Sequence, residues 1–128
     1  MKVMETARAM ALSGVLSLGA APAFAHHSFA MFDSQKNVAV DGTVKEFQWT
    51  NPHSWIQLVV KDPATGKEAE WSVELGSPNA LEREGFRRTS FKPGDQAHVV
   101  IHPLKDGSNG GSFVSAMVNG VQIGGAHS

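Results

Sequence analysis

The chain has no cysteine and no tyrosine, and its positive and negative charges nearly cancel. Without cysteine there is no disulfide framework, no thiolate nucleophile and no cysteine-based zinc site, so a metal would need histidine, methionine, carboxylate or backbone ligands. A net charge of −1 over 128 residues provides no electrostatic footprint for nucleic acid or for an anionic membrane. P-loop, G-x-S-x-G and H-E-x-x-H motifs are also absent. The six histidines are therefore the first candidates for function.

Residues 1–25 have the features of a secretory signal peptide. Two basic residues precede an apolar, small-residue run at 9–21, and residues 23–25 (AFA) place alanine at positions −3 and −1 of a cleavage site. The run is too short for the roughly 20 residues that a membrane-spanning helix needs. We predict cleavage after residue 25 and export to the periplasm or the medium. A retained membrane anchor is the alternative.

The rest of the chain shows the period-two apolar pattern of β-strands. Strands are predicted at residues 38–47, 55–61, 70–75 and 96–102, and a fifth, weakened near Asn119 and Gly120, at 112–123. A bulge or bend is expected at Gly42. The predicted inward-facing residues are Ile56, Leu58, Val60, Trp71, Val73, Val99 and Ile101.

One short helix is predicted over residues 77–85, because Ser77 is a typical N-cap, Pro78 suits the first helical position and Gly85 suits the end. Five strands with a helix between the third and the fourth predict a mainly β, OB-fold-like barrel. A small open sandwich or split barrel with the same elements is the alternative. The barrel would span residues 38–123, with an N-terminal arm at 26–37 and a frayed tail at 124–128.

Two motifs suggest a family. Residues 26–33 (HHSFAMFD) and residues 50–55 (TNPHSW) resemble an uncharacterised family of small bacterial exported proteins, classed as a domain of unknown function. The resemblance covers nearly the whole of the expected mature chain. The family implies no established activity, so the chemistry must come from the residues themselves.

The predicted cleavage would make His26 the first residue, so that its α-amine and imidazole could chelate one metal ion together. A third nitrogen from the folded body, for which His53 beside the Asn51-Pro52 turn is the candidate, would complete a site suited to Cu(II). Cleavage one residue earlier would make His27 a third-position ligand that also chelates Cu(II) through backbone nitrogens. In the alternative interpretation, the two N-terminal histidines are a polar start without metal and His53 is a turn or capping residue.

The remaining histidines and the methionines are weaker candidates. His98 and His102 share an outer strand face about 13 Å apart, at ~3.3 Å per residue, so at most one of them should lie near a given site. His127 lies in the tail and is expected to be free. Met31 and Met117 could be soft ligands for Cu(I), but isolated methionines more often fill the core, where we expect them.

Four aromatic residues fall outside the inward series, so they could form an exposed face for a periplasmic protein, a peptide or a small ligand. Oligonucleotide binding would need interleaved basic residues, and Lys45 alone lies close in sequence. In the alternative interpretation, the N-terminal arm folds over these rings and completes the core. The four residues are Phe29, Phe32, Trp49 and Trp55.

Evidence for catalysis is weak in this sequence. Glu82 and Glu84 are two residues apart on a short helix and do not face each other, and no local signature places a nucleophile beside a base. We therefore expect an exported ligand-binding protein, with copper bound by His26 and a body histidine, and no catalytic residues. The alternative is a periplasmic interaction module that uses the aromatic face and binds no metal. Neither nucleic acid nor a membrane span after processing is expected.

Overall fold

The computed structural model describes residues 30–124, which form six strands and one short helix. The predicted signal peptide, His26, His27, Phe29 and His127 lie outside the described residues. In chain order the elements are β1 (Val38–Gln48), β2 (Trp55–Lys61), β3 (Glu68–Glu74), α1 (Pro78–Arg83), β4 (Gln96–Pro103), β5 (Gly110–Val118) and β6 (Val121–Ile123).

Five of these strands close into a barrel. The strand order is β3-β2-β1-β4-β5-β6, with antiparallel neighbours, and β3 also pairs with β5 in parallel. This pairing joins Ser72 to Gly110 and Glu74 to Ser112. The predicted OB-fold-like barrel with a helix between the third and fourth strands is confirmed. The β3–β5 pairing closes the sheet, which excludes the alternative of a small open sandwich or split barrel.

The predicted alternation places most of the inward series in the core. Ile56, Leu58, Val73, Val99 and Ile101 have no solvent exposure. Two other predicted core residues are only partly buried and pack against the core, namely Val60 and Trp71. They lie at the hairpin end of β2 and β3, beyond the three residues through which β3 pairs with β5.

Of the bulge or bend predicted at Gly42, the bulge lies elsewhere, because the register between β1 and β2 shifts between Val44 and Glu46. The extra residue reverses the alternation, so Phe47 packs against the core. Its ring centroid lies 5.1 Å from that of Phe91 and 5.5 Å from that of Trp49, both in edge-to-face geometry. This bulge therefore brings two aromatic residues to a face that simple alternation assigns to solvent.

Irregular segments supply core residues that the sequence pattern did not indicate. Phe86 and Phe91, between α1 and β4, are buried and pack around the ring of Phe113. The core positions predicted for two methionines are wrong, since 51% of Met31 and 44% of Met117 is exposed. Met31 belongs to the arm before β1, and Met117 points outward between buried Ala116 and Val118.

Local signals set the bounds of the helix and of the last strands. The Ser77 hydroxyl accepts a hydrogen bond from the Ala80 amide at 3.3 Å, which confirms it as the N-cap of α1. The predicted fifth strand is two strands, because Asn119 and Gly120 adopt positive φ angles of 48° and 84° and turn the chain. Within residues 30–124, no helix has the length and apolar character needed to cross a membrane.

Candidate functional site

A cleft of about 400 Å³ opens where β2 begins and β3 ends. Its lining combines apolar side chains with histidine, carboxylate and hydroxyl side chains. The apolar lining residues are Phe32, Leu75, Leu81 and Phe113, and the polar ones are Ser34, His53, Glu74, Glu84, His102 and Ser112. An apolar concavity with a few convergent polar groups is typical of a ligand site.

His53 is held by the loop that enters β2. The Thr50 hydroxyl donates a hydrogen bond to the His53 carbonyl at 2.8 Å. Next to it, the amide of fully buried Ser54 donates to the Gly76 carbonyl at 2.9 Å, and the Leu75 amide donates to the Ser54 carbonyl at 2.8 Å. These bonds fix His53 against the end of β3.

The end of β3 places a carboxylate beside His53. Oε1 of Glu74 lies 3.3 Å from Nδ1 of His53, and the Glu74 side chain is only 13% exposed. The contact has the distance of an ion pair without the geometry of a hydrogen bond, and because an ionised carboxylate can only accept, it would become one with the proton on Nδ1. A neutral His53 ring then presents its Nε2 lone pair to a ligand, as in the carboxylate–histidine–metal arrangement.

His102 lines the same cleft from β4. Its Nδ1 lies 2.8 Å from the Lys36 carbonyl, which is an acceptor, so Nδ1 is again the donor and Nε2 the free nitrogen. His98 lies four residues earlier and lines a separate hollow. One histidine of this pair therefore reaches the cleft that contains His53.

The arm before β1 runs along the edge of the cleft. The Asp33 amide donates to the Pro103 carbonyl at 2.8 Å, and the Lys105 amide donates to the Met31 carbonyl at 2.9 Å. Phe32, between them in the arm, forms a β-bridge with Leu104 and lines the cleft. The described start of the arm, from Met31 to Asp33, is therefore anchored at the cleft.

The aromatic residues of the predicted interaction face lie in different surroundings. Trp49 packs against the core, Trp55 is half-buried on β2, and Phe32 is half-buried at the cleft. Among residues 30–124, the exposed large apolar side chains are Met31, Met117 and Val121. The three described aromatic residues therefore do not stand out as exposed side chains.

Within residues 30–124, no three histidine, aspartate or glutamate side chains are placed to bind one metal ion. A metal bound at the cleft would need donors from another part of the chain. The sequence analysis did not identify Glu74 as a site residue. The antiparallel β2–β3 hairpin was the available signal, because it brings the start of β2 beside the end of β3.

Comparison with known proteins gives a family and no activity. No curated protein and no solved structure matched the chain. A model of the family of unknown function DUF6152 matches residues 12–113, which include the whole cleft lining. The chain therefore belongs to the DUF6152 family.

Proposed function

We propose that this chain is an exported ligand-binding protein that binds Cu(II) through His26 and His53. The observation that carries the proposal is the pairing of His53 with Glu74 in a cleft along whose edge the N-terminal arm runs. The proposal depends on cleavage before His26, because only then does this residue have a free α-amine.

The donors suit Cu(II), which favours tetragonal nitrogen ligation and has the highest affinity among first-row divalent ions. The α-amine and the ring of His26 would supply two nitrogens, and Nε2 of His53 would supply the third. His26 lies six residues before Phe32, and six extended residues span about 20 Å, so the terminus can reach the cleft. His27, the next residue, is the other N-terminal candidate ligand.

The surroundings favour a bound ion with a small co-ligand. Leu75, Leu81 and Phe113 would shield one side of the ion from water, which strengthens its electrostatic contacts. The cleft volume of about 400 Å³ leaves space for a small molecule beside the ion.

Calorimetric titration with Cu(II) tests the proposal after intact-mass measurement has established the N-terminus. Adding one residue before His26, or the His26→Ala substitution, should weaken Cu(II) binding by orders of magnitude because either change removes the chelate. His53→Ala should have an intermediate effect because it removes one of three nitrogens. His127→Ala, in the tail, is the matched control and should leave the affinity unchanged.

Equal Cu(II) affinity for the native and the extended proteins would overturn the proposal, as would a mature chain that starts elsewhere.

A further inference from the structure

A row of three side chains crosses the outer face of the barrel away from the cleft. Asp41 on β1 pairs directly with His98 on β4, and His98 pairs directly with Met117 on β5. Directly opposed residues of antiparallel strands point to the same face, with Cβ atoms about 4.5–5.5 Å apart. The neighbours of His98 and Met117 along their strands are buried, so both side chains point outward.

These three side chains line one hollow of about 320 Å³. Gly42 and Gly120 also line it. A Cβ atom at Gly120 would meet no atom within 4 Å, so the hollow is open at this corner. His98 is 47% exposed at its side chain and Met117 is 44% exposed. A thioether beside an imidazole is therefore accessible from solvent.

The His98 ring has one nitrogen held and one available. Its Nδ1 lies 2.7 Å from Oδ1 of Asp41. Because a carboxylate accepts and does not donate, the neutral ring carries its proton on Nδ1 and presents the Nε2 lone pair. A carboxylate on the far nitrogen is the usual partner of a metal-binding histidine, because it fixes the tautomer and the ring orientation.

We propose that His98 and Met117 form a second metal site, selective for a soft monovalent ion such as Cu(I). Thioether sulfur selects Cu(I) over the harder divalent ions. Asp41 is a positioning residue that holds the ring and does not contact the ion. The site uses none of the donors of the Cu(II) site proposed above.

Titration with Ag(I) nitrate, a redox-inert substitute for Cu(I), tests this site. The Met117 methyl resonance, assigned by its absence in Met117→Leu, should shift on addition of Ag(I). Met117→Leu and His98→Gln should each weaken Ag(I) binding at least tenfold, and anaerobic Cu(I) competition should give the same order. Met117→Leu conserves volume on an exposed position, so the fold should tolerate it.

Met31→Leu is the matched control, because Met31 is the other exposed methionine of the described chain and lies far from His98 in sequence. It should leave Ag(I) affinity unchanged. The Asp41→Ala variant tests the positioning role. The ¹⁵N shifts of the His98 ring should change from those of the Nδ1–H tautomer toward those of a mixture of tautomers, and Ag(I) affinity should fall.

Two results would overturn the site: wild-type Ag(I) affinity in Met117→Leu, or an equal loss in Met31→Leu. The variant with one residue added before His26 distinguishes this site from the proposed Cu(II) site. Extension should abolish tight Cu(II) binding and leave Ag(I) binding at Met117 intact, so either site can fail independently of the other.

Discussion

Leu58 lies on β2 at the centre of the barrel, fully buried and paired with Val44 on one side and Trp71 on the other. Removing most of its side chain would leave a cavity that the neighbouring residues of the closed barrel cannot move in to fill. Leu58→Ala should lower the free energy of unfolding by about 2–5 kcal/mol, measured by urea denaturation. Val121→Ala is the control, since Val121 is 65% exposed and its truncation should change the value by less than ~0.5 kcal/mol. A loss below ~1 kcal/mol for Leu58→Ala would contradict the face assignment.

Asp106 occupies the loop between β4 and β5. Hydrogen bonds from the Ser108 hydroxyl and from the Ser108 amide hold the pKa of the Asp106 carboxyl below its usual range. Ser108→Ala removes the hydroxyl and keeps the amide, so the Asp106 pKa should rise part of the way to its ordinary value. Carboxyl ¹³C shifts across an acid titration measure this change.

The sign of the associated pH effect follows from the lowered pKa. These bonds favour the charged carboxylate, so their contribution is present above the unfolded-state pKa and is lost as the pH falls through the folded-state pKa. Any stability difference between wild type and Ser108→Ala should therefore shrink in acid. Ser115→Ala, on β5, is the control and should leave the Asp106 titration curve in place.

At the scale of elements, Gly110 and Gly111 allow β5 to approach β3 and β4 closely. A Cβ atom at Gly110 would overlap the Ser72 carbonyl oxygen, and one at Gly111 would overlap the His102 carbonyl oxygen. Backbone atoms cannot move aside without breaking the β3–β5 pairing. Gly110→Ala should therefore cost about 1–3 kcal/mol in chemical denaturation. Gly76→Ala is the matched control, because its Cβ would meet the Ala80 Cβ at an ordinary 3.6 Å.

Local signals predicted the strands and the helix because alternation and capping are short-range properties. Ile56 and Leu58 show period two, and Ser77 with Pro78 marks the helix start. Tertiary contacts decided the rest. Gly110 looks like a loop residue until β3 pairs with it, and the register shift after Val44 is set by the partner strand.

The candidate site was predicted less completely than the fold, for a physical reason. His53 was identified from its turn, but Glu74 and His102 reach the cleft only because β2, β3 and β4 meet at one end of the barrel. Phe91 is a comparable case in the core, since a buried residue in an irregular segment has no period to reveal it.

At the scale of the whole molecule, the proposed Cu(II) site couples processing of the chain to ligand affinity. Cu(II) must displace the proton of the His26 α-amine, and an α-amine has an ordinary pKa of about 7.7–8.0. Apparent affinity should therefore rise with pH between about 7 and 8.5, approaching tenfold per unit below that pKa. Calorimetry at several pH values measures the slope. A flat profile, or the same profile in the extended protein, would contradict the chelate.

The β3–β5 pairing also has a kinetic consequence. It joins two strands that α1 and β4 separate along the chain. The chain therefore loses the conformational entropy of closing a long loop before the contact contributes any stabilising free energy. We expect this contact to form after the folding transition state. In stopped-flow experiments, Gly110→Ala should then accelerate unfolding and leave the folding rate nearly unchanged. Val44→Ala, in the local β1–β2 hairpin, should instead slow folding. The antiparallel strands would then pair first, and the parallel β3–β5 contact would close the barrel last.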